Sequence, residues 1–217
     1  MNYAALVAAV SSYTENTFPT TDMNVFITQA EKRIYNAVQI PSLRKNVTGS
    51  TTASNKYLQC PTDFLSTFSL AAIDPTTGAY TFLLNKDVNF IREAYPKPTS
   101  TGAPKYYAIF GPRSDNEAEL TFILGPTPNA VYSTELHYFY YPESIVTASN
   151  TWLSDNYDPV LLYGTLVEAY TYMKGEQDVI LLYNTKFGEA LTQLKRLGDG
   201  LERQDAYRSG QARIPVT

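Results

Sequence analysis

The single histidine and the single cysteine are the side chains of this sequence best suited to general-base or nucleophilic chemistry. His137 lies in an alternating, strand-like segment with no serine or cysteine nucleophile motif beside it, and G-x-S-x-G does not occur. Cys60 stands directly before Pro61. We therefore interpret His137 as an imidazole on a sheet surface or interface, and Cys60 as a small buried side chain.

Metal and cofactor motifs are absent from the sequence. One histidine excludes HExxH and every multi-histidine metal cluster, and one cysteine excludes an intramolecular disulfide framework and a cysteine-based zinc site. Neither a Walker loop nor a dinucleotide-binding glycine fingerprint occurs. The sequence therefore predicts no catalytic residue, no cofactor and no metal ligand.

Two pairs of carboxylates leave a hydrolase open as an alternative. Asp115 with Glu117, and Asp155 with Asp158, are close enough in sequence to support glycoside hydrolysis in principle. Acids that sit in turns and at helix caps explain both pairs without any catalysis. We favour this second interpretation, which gives the carboxylates a structural role.

Aromatic residues are abundant and charged residues are scarce. The 217 residues include 18 Tyr, 10 Phe and one Trp, whereas only 18% are charged, below the usual quarter. Tyrosine gives contact surfaces a large area and a polar hydroxyl at low entropic cost. One strand must carry aromatic rings on both faces, either because it is covered on both sides within the chain or because it contacts another subunit. Its candidate subunit-interface residues are Tyr138, Phe139, Tyr140 and Tyr141.

Charge is distributed unevenly along the chain. The net charge is −4, from 17 basic and 21 acidic residues, yet residues 114–173 contain no Lys or Arg. Such a segment cannot neutralise phosphates, so we expect no DNA-binding face there. It forms a solvated acidic face, a patch complementary to a neighbouring subunit, or a surface that repels DNA. Its acidic residues are Asp115, Glu117, Glu119, Glu135, Glu143, Asp155, Asp158 and Glu168.

No stretch of the sequence predicts a membrane segment. The longest apolar runs, such as residues 4–10, are far shorter than a membrane span, and no basic residue precedes that run as in a signal peptide. We therefore expect a soluble protein that is made in a cytoplasm and kept or assembled there.

Helical periodicity is confined to the two ends of the chain. It predicts helices over residues 2–13 and from Thr21 or Asp22 to about Val38. It predicts two more after Asp158, the first broken by Gly175 and the second running from Asp178 to about Leu197, before Gly198. Residues 199–217 lack periodicity, and we expect them to be a disordered or extended tail in the free monomer.

Strand patterns occupy the middle of the chain, with one short helix predicted over residues 87–95. The strongest strands are residues 105–110, 118–124 and 131–141, whose alternation is typical of a half-exposed antiparallel meander. The predicted class is therefore α+β, a helical bundle from the N- and C-terminal helices with a central antiparallel β-rich insertion. The predicted parts are residues 1–42, N-terminal helices; 43–145, insertion; 146–198, C-terminal helices; and 199–217, tail.

Several motifs resemble the head-to-tail adaptor proteins of tailed bacteriophages, also called connector or head-completion proteins. Ala30-Glu31 followed by Arg33-Ile34 looks like the family's early helix, and Pro61-Thr62-Asp63-Phe64 is similar to its strand followed by Pro-x-Asp-Phe. The likeness covers roughly residues 23–197 in the family's order. Its other segments are residues 102–109, 125–128, 135–141, 152–153 and 162–169.

This resemblance implies a structural virion protein without catalytic residues. Its subunits form a homo-oligomeric ring, usually of twelve copies, that docks on the portal protein, extends the DNA channel and serves as a platform for a tail or nozzle protein. DNA then passes through without specific binding. The implied location is the virion neck, with assembly in the host cytoplasm.

The predicted tail supplies the candidate portal contacts, since we expect it to become ordered against the portal. Those candidates are Arg203, Tyr207, Arg208 and Arg213. One alternative is a carbohydrate-binding or tail-fibre-like module, in which exposed Tyr and Trp152 stack on sugars. Another is a tail-associated hydrolase that uses the paired carboxylates.

Overall fold

The computed structural model describes residues 1–97, 99–111 and 120–208, and it contains both helices and β-sheets. The predicted α+β class is therefore confirmed. The chain divides into two compact units: a helical unit, made of Met1–Leu43 and the chain from Tyr141 onward, and a β unit, Arg44–Tyr140.

The described elements run in the following order along the chain. The helices are α1 (Tyr3–Thr14), α2 (Thr20–Ala37), α3 (Val88–Ala94), α4 (Ile145–Ala148), α5 (Trp152–Asn156), α6 (Asp158–Tyr172) and α7 (Gln177–Arg208). The strands are β1 (Arg44–Ser50), β2 (Tyr57–Gln59), β3 (Ser66–Ile73), β4 (Tyr80–Phe82), β5 (Leu84–Asn85), β6 (Thr101–Gly102), β7 (Tyr106–Phe110), β8 (Thr121–Gly125), β9 (Thr127–Pro128) and β10 (Ser133–Phe139).

Helix α6 is the centre of the helical unit. It packs against α1, α2, α5 and α7, and its buried residues point in several directions around the helix, as expected for a helix enclosed by others. Helix α2 instead buries a single stripe that includes Ile27, Ala30 and Ile34. This is the stripe that the sequence periodicity predicts.

Helix α7 is longer than the sequence predicts. The predicted end near Leu197 is wrong, because the helix continues through Gly198 and Gly200 to Arg208. Gly198 does not have the left-handed φ of a helix-ending glycine; a Cβ there would lie 2.5 Å from the carbonyl oxygen of Gln39. A glycine inside a helix costs only about 1 kcal/mol relative to alanine, and here it permits close packing. The predicted tail is therefore helical up to Arg208, and residues 209–217 lie outside the described part.

Two four-stranded sheets build the β unit. Sheet A has the antiparallel order β1-β10-β3-β4, and sheet B has the order β2-β8-β7-β5, in which β5 and β7 are parallel. A third, two-stranded parallel pair joins β6 to β9. One core combines residues of both main sheets; its largest members include Leu70, Leu136, Tyr138, Tyr107, Phe122 and Leu124.

Helix α3 covers the other face of sheet B. Ile91 packs with Ala108 and Ile123 in a second cluster, and the Asp87 carboxylate accepts the Asn89 N–H at 2.7 Å to cap the helix. Strand β8 is consequently buried on both faces. The predicted half-exposure of this strand is therefore wrong for Thr121–Gly125, while residues 118 and 119 lie outside the described part.

The predicted meander is also wrong. Strand β7 does pair with β8, but β10 lies between β1 and β3 in sheet A. The alternation within β10 is as predicted, with Thr134, Leu136 and Tyr138 buried and Glu135 and His137 partly exposed. Its apolar face closes the core opposite sheet B, so alternation specifies the inner face of a strand but not the sheet that it joins.

Candidate assembly surfaces

Asp63 connects three segments of the β unit. Its Oδ1 accepts a hydrogen bond from the Tyr138 hydroxyl at 2.8 Å, and its Oδ2 accepts one from Lys45 Nζ at 2.8 Å. The next residue, Phe64, packs edge-to-face on Phe122 and beside the Tyr138 ring. The Pro-x-Asp-Phe motif therefore joins the loop before β3 to β1 and β10.

These contacts shift the pKa values of Asp63, Lys45 and Tyr138. Burial alone would raise the pKa of Asp63, but the hydrogen bonds from Lys45 and Tyr138 outweigh it, and the pKa falls below its ordinary value. The hydrogen bond to Asp63 raises the pKa of Lys45. Burial and the same carboxylate raise the pKa of Tyr138. The Tyr138 hydroxyl is thus a stable donor and Asp63 a stable acceptor at neutral pH.

A β-bulge places an aromatic cluster on the outer face of sheet A. Between His137 and Tyr138 the register shifts by one residue on β3, so that Phe68 has no partner on β10. Its side chain is 57% exposed and meets Phe139 edge-to-face, with ring centroids 6.0 Å apart. The Arg44 guanidinium carbon lies 4.8 Å from the Phe68 centroid and 5.4 Å from that of Phe139.

A second aromatic pair lies at the β4 edge of the same sheet. Tyr80 and Phe82 stack with centroids 6.5 Å apart and are 54% and 66% exposed. Exposed rings of this size are a feature of protein contact surfaces. Phe68, Tyr80 and Phe82 are not among the contact residues predicted from the sequence. The β4 pair could have been predicted, because Tyr80 and Phe82 are separated by a single threonine and must lie on the same face of a strand. The β-bulge that exposes Phe68 has no signal in the sequence.

The four aromatic residues predicted as subunit contacts have different environments. Tyr138 is 1% exposed in the core of the β unit, so contacts within the chain account for it. Phe139 and Tyr140 are partly exposed, and Lys45 Nζ lies 5.1 Å from the Tyr140 centroid. Tyr141 belongs to the helical unit, where its hydroxyl donates to Asn36. We keep the three partly exposed members as interface candidates.

The early-helix motif holds the helical unit together. The buried Glu31 carboxylate accepts the backbone N–H of Ile145 at 2.9 Å, and burial raises its pKa more than this hydrogen bond and that of Ser144 lower it. Two residues on, Arg33 pairs with Glu168 at 3.2 Å and stacks over the Phe187 ring. Two separate segments of the resemblance, 26–34 and 162–169, are therefore in direct contact.

A comparison with protein families identifies the chain. The model of the SU10 adaptor protein family matches residues 1–215. The chain belongs to the SU10 adaptor protein family. This is a family of bacteriophage structural proteins, and the match confirms the predicted resemblance to phage adaptors. A search of curated proteins finds no match.

The potential catalytic groups of this adaptor occupy structural positions. His137 lies on the outer face of sheet A, with Nδ1 3.3 Å from Ser69 Oγ and Nε2 3.7 Å from Glu135 Oε1. The hydroxyl contact is long, and the trio lies on a sheet face rather than in a cleft, so we assign it to a surface polar network. Cys60 is buried, as predicted, beside a cavity of about 410 Å³ between β1 and β2.

The acidic run does not form one uncompensated surface of the adaptor. Glu168 pairs with Arg33, Asp158 lies 3.9 Å from the amine of Met1, and Glu135 accepts a hydrogen bond from Asn46. Glu143 and Asp155 are exposed in the helical unit and make no ion pair with another described residue. The remaining three acids, Asp115, Glu117 and Glu119, lie outside the described residues.

The predicted portal-contact residues fall at the end of α7. The backbone of Arg203, Tyr207 and Arg208 is helical, and Arg213 lies outside the described residues. Within the described ranges, no helix is long and apolar enough to cross a membrane. In the same ranges, no three His, Cys, Asp or Glu side chains are grouped as a metal site.

Proposed function

We propose that this adaptor forms a homo-oligomeric ring of about twelve copies that docks on the portal protein of a tailed bacteriophage. The ring extends the DNA channel and provides the platform for a tail or nozzle protein. It resides in the virion neck and assembles in the host cytoplasm. The family match over residues 1–215 carries this proposal, because it spans both units and every described element.

The outer face of sheet A supports the ring. A ring with rotational symmetry needs heterologous contacts, in which two different surfaces of the subunit meet. Phe68 with Phe139 and Tyr80 with Phe82 present two aromatic groups on one sheet, with Arg44 stacked on the first. We infer that this face contacts the next copy, and that the terminal helices act as one bundle.

The last turns of α7 are proposed to contact the portal. Arg203, Tyr207 and Arg208 follow Gly198, where the helix packs closely against Gln39. Full-length protein with Arg203→Glu and Arg208→Glu should keep its fold and lose attachment to the portal. Attachment equal to that of the unaltered protein would contradict this assignment.

Mass measurement of intact assemblies tests the ring and its docking. The purified protein is measured by native mass spectrometry alone and after mixing with assembled portal rings of the same phage. We expect a discrete complex in which about twelve copies bind one portal ring. A protein that stays monomeric with and without the portal contradicts the proposal.

Substitutions on sheet A locate the contact. Phe68→Asp and Phe82→Asp should each abolish the ring, because ring formation would bury the new charge in an apolar contact. The isolated subunit should tolerate both substitutions, since these positions are exposed in it. Phe110→Asp is the matched control, a phenylalanine of sheet B that is 55% exposed. Equal loss in all three variants, or in none, would exclude the sheet A face as the contact.

A further inference from the structure

A cavity with a basic lining lies in the β unit, between the start of β2, helix α3 and the loop after α3. Its volume is about 450 Å³, and its wall includes Lys56, Tyr57, Arg92, Tyr95 and Lys97. We call it the basic cavity. Among the described residues, no acidic side chain lines it, and neither Lys56, Arg92 nor Lys97 forms an ion pair there.

The fold fixes the backbone of the residues that carry two of these cations, Lys56 and Arg92. The carbonyl oxygen of Lys56 accepts the Leu124 N–H at 2.8 Å, which holds the start of β2 against β8. Helix α3 brings Arg92 and Tyr95 to the same place because Gly125 allows it to lie close to β8. A Cβ on Gly125 would be 3.0 Å from Ile91 Cγ2 and 3.2 Å from the Tyr95 ring.

Three cations around one cavity attract an anionic group. Like charges that line one cavity repel one another, and a carboxylate placed among them relieves that repulsion and gains hydrogen bonds. The phenol hydroxyls of Tyr57 and Tyr95 add a polar rim to the apolar ring surfaces. A concave site of this kind suits an inserted acidic side chain.

The chain itself carries the complementary charge. Within the base-free run of residues 114–173, internal contacts already engage Glu135, Asp158 and Glu168. Glu143 and Asp155 are left exposed and without an ion pair among the described residues, and both belong to the helical unit. Cations of the β unit and acids of the helical unit that form no ion pair with another described residue suit a head-to-tail contact between copies.

We propose that the basic cavity receives an exposed carboxylate of the helical unit, that of Glu143 or Asp155, from a neighbouring copy of the same chain. This inference rests on the proposed ring and names a contact within it. The cavity then determines which surfaces of successive copies meet, since the complementary acids make the pairing directional. Duplex DNA is the competing occupant, because phosphates would meet the same cations.

Zero-length cross-linking tests this contact in the complete assembly. A carbodiimide joins a carboxylate to an amine only when the two touch, forming an amide without an inserted spacer. Rings assembled on the portal from an equal mixture of ¹⁵N-labelled and unlabelled protein are cross-linked, digested and analysed by mass spectrometry. We expect mixed-isotope peptides that join Lys56 or Lys97 to Glu143 or Asp155.

The outcomes separate this inference from the proposed function. Rings that form without such peptides, or with same-isotope pairs only, overturn the cavity contact and leave the ring intact. Absence of any ring overturns both the proposed function and this inference.

Charge reversal gives an independent readout. Lys56→Glu with Arg92→Glu should lower ring formation about ten-fold or more, and adding Glu143→Lys with Asp155→Lys should restore it. Lys86→Glu with Lys105→Glu is the matched control, since both are exposed bases of the β unit outside the cavity. Ring formation unchanged by the first pair overturns the proposal. If the variant with Lys56→Glu and Arg92→Glu forms normal rings but no longer binds labelled duplex DNA, the cavity binds DNA instead.

Discussion

The Tyr138 hydroxyl donates to the Asp63 carboxylate at 2.8 Å, and the two residues come from segments 75 positions apart in the chain. Lys45, from a third segment, donates to the other carboxylate oxygen. One aspartate therefore specifies how β1, β10 and the loop before β3 meet. Tyr138, which is one of the predicted subunit-interface residues, makes this contact within its own chain.

Replacing Asp63 by Asn should destabilise the β unit by about 1–2 kcal/mol. The amide keeps the shape of the side chain, but it has one acceptor oxygen in place of two and no charge, so one of the two hydrogen bonds is lost and the other is weakened. Urea unfolding followed by circular dichroism measures the change. Glu93→Gln, at an exposed position of α3, is the control and should leave the midpoint unchanged; equal midpoints for Asp63→Asn and the unaltered protein would contradict the assigned role.

The same aspartate predicts a pH dependence. Because its folded-state pKa lies below the ordinary value of 3.8, its contribution is complete above that pH and is lost as the pH falls through the folded pKa. Unfolding free energies measured from pH 6 to pH 2.5 should therefore fall less steeply below pH 4 in Asp63→Asn than in the unaltered protein. Parallel curves would exclude Asp63 as a source of the acid sensitivity.

Glu31 should show the opposite sign. It is 2% exposed and its pKa is raised above 4.5, mainly by burial, so its contribution is most favourable below the unfolded pKa and declines as the pH rises through the folded pKa. Glu31→Gln retains an acceptor for the Ile145 N–H and should gain stability relative to the unaltered protein as the pH rises from 4 to 7.5. Urea midpoints across this range measure the difference, and a constant difference would contradict the prediction.

Glu31→Ala separates the hydrogen bond from the charge. It leaves the Ile145 N–H without its acceptor and should be about 1–3 kcal/mol less stable than Glu31→Gln at every pH in that range, since neither variant titrates at this position. A loss equal to that of Glu31→Gln would mean that the backbone hydrogen bond contributes nothing measurable.

The two glycines late in α7 should respond to alanine in opposite directions. In Gly198→Ala the new methyl group meets the Gln39 carbonyl oxygen at 2.5 Å, and backbone must move, so we expect a lower melting temperature. At Gly200 nothing lies within 4 Å, and alanine should stabilise the helix by about 0.5–1 kcal/mol. Thermal unfolding of both variants measures the pair, and a shift of the same sign would contradict the close packing at Gly198.

Local features of this fold were predictable from the sequence. The α2 stripe and the short helix predicted over residues 87–95 depend on residues within a few positions of one another, and both occur as predicted. The close packing at Gly198, by contrast, involves Gln39, which is far away in sequence. A glycine that ends a helix and one that permits close packing look alike in the chain.

The candidate surfaces were predictable only in part. Alternation places Tyr138 and Phe139 on opposite faces of β10. Which of the two faces is buried depends on how the sheets pack and on the hydrogen bond of Tyr138 to Asp63. The exposure of Phe68 depends on a register shift between β3 and β10, which requires both strands to be in place. The basic cavity likewise combines a cation just before β2 with cations of α3 and of the loop after it, so it cannot be predicted from any single segment.

The ion pair of Arg33 and Glu168 should contribute little to stability although it joins two of the family-like segments. Arg33 is about half exposed, and pairs at such positions contribute about 0.2–1 kcal/mol because solvent screens them. A double-mutant cycle with Arg33→Gln and Glu168→Gln measures the coupling energy by urea unfolding. Since Arg33 also stacks on Phe187, Arg33→Gln alone should cost more than the coupling energy. A coupling energy equal to the whole cost of Arg33→Gln would show that stacking on the Phe187 side chain adds nothing. A coupling energy above about 2 kcal/mol would mean that the ion pair is shielded from solvent.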